Sequence, residues 1–259
     1  MDNLDLVIFT NSSYNYLWPI IDKNFDKIFE NEINIYFYTD ELTTKINKKF
    51  KQIEYDKTKN YVERLIFLFD NLKNKYILLI HDIDLIINFN FNDFKKYYNL
   101  LIQNDIDRLS LHIYNNTKTI IELDENIKIC SLNDNFRTNV FIPFDYCPSI
   151  FNRIKFRNLL EFYKKESYSS LELNKNFQND FKKNMKSYGI QLTNYIKIIN
   201  CRGFTYSNLF TILHITTKGM LLDCECYQDL KDIFLQIYND YNLKYLPKHP
   251  PININKFIF

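Results

Sequence analysis

Two rhythms of apolar and polar positions run along the first half of the chain. Leu4–Thr10 (LDLVIFT), Ile33–Thr39 (INIYFYT) and Tyr76–Ile80 are short, nearly continuous apolar runs, which predicts strands buried on both faces. Between and after them, Tyr16–Phe29, Tyr61–Leu72 and Phe94–Asn104 carry apolar residues at helical spacing. In the second of these, Val62, Leu65, Ile66, Phe69 and Leu72 share one face. Asn11, Ser12 and Ser13 supply loop and cap chemistry after the first strand. Strand and helix in alternation predict an α/β fold: a mostly parallel, Rossmann-like central sheet with helices on both faces. The later pattern is less regular, with strands expected at 109–114, 127–132 and 209–216 and helices at 154–164 and 173–188. There is no internal repeat and no Gly-, Pro- or Ser-rich linker, so one domain over 1–259 is the simplest organisation.

One stretch breaks the apolar pattern. Lys75–Phe89 reads KYILLIHDIDLIINF, placing Asp82 and Asp84 between two apolar runs. Unpaired charge there is costly unless a cation or another partner offsets it. The carboxyl end of a central strand is also where open α/β sheets bind ligands. Asn11 and Ser12 after the first strand and Thr39 and Asp40 after the second converge on the same edge. Two carboxylates one residue apart suit a hard divalent cation, Mn²⁺ or Mg²⁺, which shares itself with phosphate oxygens. The competing reading is a turn or cap at a strand end.

Composition narrows the classes. At 259 residues the chain can bury roughly 70–75% of its unfolded surface, enough for a pocket. The net charge is +2, with 33 basic and 31 acidic residues dispersed, so no clustered basic footprint points to nucleic acid. The heavy use of Asn, Lys, Ile, Tyr and Phe with no alanine reads as A/T-rich coding bias. The start, MDNLDLVIFTN, does not resemble a secretory signal, and no apolar run reaches the ~18 residues of a membrane span. Cys130, Cys147, Cys201, Cys224 and Cys226 are an odd, scattered set, which predicts reduced thiols and a cytoplasmic protein. Cys224-Glu225-Cys226 lacks the second ligand pair of a zinc site, and the sequon at Asn115 is set aside with the missing signal.

The chain also resembles a known family. Glu63–Ile86 (ERLIFLFDNLKNKYILLIHDIDLI) followed by Phe94–Leu111 (FKKYYNLLIQNDIDRLSL) is similar to the core of GT-A type nucleotide-sugar-dependent glycosyltransferases. In that family an arginine-bearing helix precedes a strand ending in an acidic motif. Phe144–Leu173 (FDYCPSIFNRIKFRNLLEFYKKESYSSLEL) is similar to the family's acceptor-side region. Ile83 departs from relatives with adjacent aspartates, and which carboxylate touches the metal stays open.

The resemblance implies a nucleotide-sugar-binding half at about 1–115 and an acceptor-side half at about 116–259. It implies transfer of a sugar from a UDP- or GDP-sugar to a hydroxyl of a glycan or glycoconjugate, of hexosyltransferase type and inverting. Asp82 and Asp84 would hold Mn²⁺ or Mg²⁺, with His214 completing the metal shell. Thr10, Asn11, Thr39, Asp40 and Arg64 would meet the nucleotide, and Lys218 its phosphates. Glu172 would be the general base, with Asp145 and Glu166 as rivals; a retaining enzyme would need no such base.

Each residue has a plainer reading beside this. Arg64 could pair with Glu63 or Asp70 on the surface, Glu172 could favour a helix start, His214 could be a satisfied strand residue, and His81 is read as structural. Among other classes, nucleotidyltransferases want a Gly-Ser dipeptide before the acidic pair, which is absent here. Dehalogenase-type phosphatases want Thr or Val where Ile86 stands. A non-catalytic nucleotide-sugar-binding or scaffold protein of the same fold is the remaining alternative.

Overall fold

The computed structural model describes residues 1, 3–15, 17–29, 33–44, 46–82, 84–87, 89–114, 120–122, 128–132, 144 and 148–191, together with short strands at 204–206, 211–214, 216–217 and 220–221. The apolar runs become strands β1 (Leu4–Phe9), β2 (Asn34–Thr39) and β4 (Tyr76–His81), with α1 (Trp18–Phe29), β3 (Lys51–Glu54) and α2 (Tyr61–Asn71) between them. All six residues of β1 and all six of β4 are buried, because successive side chains feed two different cores. Leu4, Leu6 and Ile8 join Tyr76, Leu78 and Ile80 in one core. Val7, Ile77 and Leu79 lie in the other. Each such side chain contributes roughly 1.5–3 kcal/mol by leaving water.

The chain continues through β5 (Asp84–Ile87), α3 (Phe91–Gln103), β6 (Arg108–Tyr114), β7 (Ile120–Glu122), β8 (Lys128–Ser131), β9 (Ser149–Asn152), α4 (Arg153–Glu161), α5 (Tyr168–Leu173), α6 (Lys175–Asn184) and β10 (Ser187–Gln191). Among the described residues nine strands form one mixed sheet in the order β3-β2-β1-β4-β9-β6-β10-β8-β7. The half that bears the acidic motif, β3-β2-β1-β4, is wholly parallel, as expected. Beyond it β9 runs antiparallel to both β4 and β6, and β8 antiparallel to β10. Helices α1 and α3 supply Trp18, Ile21, Phe25, Phe94 and Tyr97 to the first core. Helices α2, α4 and α6 supply Val62, Leu65, Phe156, Leu160, Phe177 and Phe181 to the second.

The helix ends are closed by named groups. At the start of α2, Asn60 and Glu63 form a reciprocal capping box. At its far end another element takes part: Arg153 at the head of α4 donates to Phe69 O in the last turn of α2 at 2.6 Å and to Asn74 O in the following loop at 2.8 Å. The segment 173–188, expected as one helix, divides. Asn174 caps α6, and Met185 turns extended (φ −115, ψ 118) so that β10 can pair with β6.

Candidate functional site

The parallel register sets Phe9 opposite His81. The next residues, Thr10 and Asp82, are therefore neighbours where β1 and β4 end. The ladder runs on past the strands: Asp82 N–H donates to Phe9 O (3.1 Å), Thr10 N–H to Tyr38 O (2.9 Å) and Tyr55 N–H to Thr39 O (2.9 Å). Four strand ends are thereby stitched at one edge. Thr10 Oγ1 donates to Asp82 Oδ2 at 2.5 Å, accepts from the Trp18 indole N–H at 2.8 Å, and the Thr10 carbonyl accepts from Tyr55 OH at 2.7 Å. Tyr55 itself stacks on Phe9 with ring centroids 5.5 Å apart.

Asp82 and Asp84 are both buried. Burial pushes the Asp82 carboxyl up to about 7, and the neighbouring Asp84 charge adds to the rise, while hydrogen bonds from the Thr10 hydroxyl and the Asn11 backbone oppose it. A carboxylate held near neutrality in this way is relieved by a cation, and an all-oxygen pair suits a hard one. The donor set therefore fits Mn²⁺ or Mg²⁺. Among the described residues no group of three His, Cys, Asp or Glu side chains is assembled. Asp84 opens β5, which pairs antiparallel with the strand Thr211–His214, and the pairing sets Asp84 opposite His214 along the backbone.

The other expected residues fall into three groups. Asn11 and Asp40 sit at the edge, half-buried, and serve its loop: Asn11 Oδ1 accepts the Ser13 N–H (3.0 Å), and Asp40 accepts from Ser12 N–H (2.6 Å) and Ser12 Oγ (3.1 Å). Thr39 is buried, its hydroxyl 3.4 Å from the Glu41 N–H it accepts. Arg64 makes neither of the surface pairs expected of it. It folds back onto the Lys57 and Lys59 carbonyls, both at 2.8 Å, and lies over the Tyr55 ring at 4.8 Å, fastening the loop between β3 and α2. Glu63 is used in the capping box and Asp70 pairs with Arg157 (2.9 Å).

Glu172 is half-buried in the last turn of α5, whose first turn holds no acidic residue, so the helix-start reading of Glu172 does not apply. Its carbonyl accepts from Gln178 Nε2 (2.6 Å). Tyr168, one turn before Glu172, packs edge-on against Tyr61 (4.8 Å) and His81 (5.7 Å), which brings α5 to the same edge as Asp82. His81 is buried among Phe9, Tyr61 and Tyr168, with Nε2 3.0 Å from Tyr61 OH, in keeping with a structural role. Glu166 accepts from Asn174 Nδ2 (2.9 Å). Asp145, Lys218 and the His214 side chain lie outside the described residues.

Sequence reading missed Trp18 and Tyr55. Trp18 is the chain's single tryptophan, and its only legible signal is its position just after the first strand-end loop. A cavity of about 490 Å³ lies against α2, lined by Tyr38, Tyr55, Lys59, Arg64, Phe67 and Lys164. Among the described residues no helix is long and apolar enough to cross a membrane.

No protein-family model matches this sequence. No curated protein matches it either. Among solved structures, residues 1–349 of S. aureus TarS in complex with UDP-GlcNAc are 13% identical, with a TM-score of 0.48, over 98% of this chain and 69% of that one. HddC from Yersinia pseudotuberculosis is 12% identical at a TM-score of 0.45, over 74% of this chain and 91% of that one. The bifunctional IspDF from Campylobacter jejuni is 12% identical at a TM-score of 0.42, and this chain spans about half (49%) of its length. Similarity this remote assigns no activity; what the chain can do must be read from its own residues.

Proposed function

We propose that the chain is a metal-dependent glycosyltransferase that moves a sugar from a UDP- or GDP-sugar to a hydroxyl of a glycan or glycoconjugate. The observation that carries this reading is the buried pair Asp82 and Asp84 at the carboxyl end of the central parallel strands, beside the loops that follow β1 and β2. Asp82 and Asp84 would hold Mn²⁺ or Mg²⁺, with His214 as a third ligand. A cation there supplies Lewis-acid stabilisation of the charge that collects on a leaving nucleoside diphosphate.

The chain's own groups do the rest. Asp40 and Asn11 stand at the strand ends where a nucleoside would lie, with Thr39 and Thr10 buried behind them. Arg64 stiffens the adjoining loop, and Lys218 meets the phosphates. Glu172, carried to this edge by α5, takes the proton of the acceptor hydroxyl in an inverting transfer; Asp145 and Glu166 are the other candidates for that step. Such proton removal contributes typically ~10²–10⁴-fold.

The test is release of nucleoside diphosphate from a panel of UDP- and GDP-sugars, with Mn²⁺ and with chelator. Metal-dependent release, accelerated by a glycan acceptor, is the expected result. Binding without release would make the chain a nucleotide-sugar-binding scaffold, and pyrophosphate release from a sugar phosphate and a nucleoside triphosphate would make it a nucleotidyltransferase.

A further inference from the structure

We infer that Trp18 and Thr10 form a hydrogen-bond relay that fixes the direction of the Asp82 carboxylate, making Trp18 a positioning residue for the cation; this rests on the metal-dependent reading above. The polarity of the relay follows from chemistry. An indole N–H can only donate. At 2.8 Å from Thr10 Oγ1 it occupies a lone pair of that oxygen, and the hydroxyl's own proton goes to Asp82 Oδ2 at 2.5 Å.

Nothing in this chain is free to turn. Trp18 and Thr10 are 2% and 1% exposed, and Asp82 is 6% exposed. The indole stands edge-on to Phe37 (5.2 Å, 90°) within the α1 core. Thr10 is pinned through its backbone by Tyr38 O at 2.9 Å and by Tyr55 OH at 2.7 Å. Of the roughly four lone-pair sites on a carboxylate, the relay takes one, on Oδ2. The remaining ones keep a set direction because the carboxyl plane cannot rotate. Partners of this outer kind typically change metal affinity ~10–100-fold when removed.

The experiment titrates Mn²⁺ alone into the full chain, following the free ion by electron paramagnetic resonance, for wild type, Thr10→Val, Thr10→Ser and Trp18→Phe. Melting curves without metal report the fold. Thr10→Val keeps the side-chain shape and removes the hydroxyl, and Mn²⁺ affinity should fall ~10-fold or more. Thr10→Ser restores the hydroxyl and should stay within about threefold of wild type, while Trp18→Phe removes only the outer donor and should lie between them. If Thr10→Val fails to fold, the ordering of Thr10→Ser above Trp18→Phe carries the same test. Wild-type affinity in Thr10→Val or in Trp18→Phe overturns the relay and leaves the metal reading standing. No Mn²⁺ binding by wild type overturns that reading and the relay with it.

Discussion

Replacing Asp82 by asparagine should remove a specific part of the protein's pH dependence. In the metal-free chain burial raises this carboxyl from 3.8 to about 7. A difference of about three units corresponds to ~4 kcal/mol at 1.36 kcal/mol per unit. The sign follows from linkage. The folded state binds this proton more tightly than the unfolded chain does, so the stabilisation is fully present below about pH 4 and is lost as pH rises through about 7. Between pH 6 and pH 8 the loss amounts to ~1.4 kcal/mol. For a chain of this size that is ~3–6 °C in Tm.

Melting temperatures of wild type and Asp82→Asn should therefore be taken at both pH values in chelator. Every other titrating group is common to the two proteins, so the difference of differences isolates Asp82. Wild type should lose ~3–6 °C relative to the variant between pH 6 and pH 8. Parallel trends in the two proteins would show that Asp82 is not held near neutrality, and the case for a cation-seeking pair would weaken with it.

Arg153→Met should lower stability by ~2 kcal/mol, because the guanidinium ties the last turn of α2 to the loop after it through charge-assisted bonds. The urea midpoint should fall with an unchanged m-value, and a shift below ~0.5 kcal/mol would mean that water serves those carbonyls equally well. Glu172→Gln should keep donor affinity while turnover falls ~10²–10⁴-fold. Near-normal turnover would pass the base role to Asp145 or Glu166, or point to retention.

What could be read in the sequence was whatever local pattern decides. β1 and β4 were legible because strands buried on both faces are nearly continuous apolar runs, with Asp5 and His81 the exceptions here. β3 was not, since KQIE lies at the sheet edge with no residue fully buried. β9 was hidden for a different reason: four residues, Ser149–Asn152, are too short to show a period, yet they lie between β4 and β6 and make the sheet mixed. The overlong helix at 173–188 came from Phe177, Phe181 and Met185, which keep helical spacing past the point where the backbone turns extended. At the site, Asp82 and Asp84 stood out as charge among apolar neighbours. Their support did not, because Thr10 and Asp82 are 72 residues apart and meet only through the β1–β4 register. Likewise nothing local says that Arg64 turns to the Lys57 and Lys59 carbonyls rather than to a ligand or an acid.

The account stands on Asp82 and Asp84 forming a cation site for a nucleoside diphosphate. Calorimetric titration of UDP and GDP into wild type and Asp84→Asn, each with Mn²⁺ and with chelator, tests this most directly. One of the two nucleotides should bind wild type only with Mn²⁺. Asp84→Asn should lose that binding while still melting in a single cooperative transition in chelator, since the amide keeps the carboxylate's size and an acceptor oxygen but not its charge. Equal affinity with and without Mn²⁺, or undiminished affinity in Asp84→Asn, would contradict it.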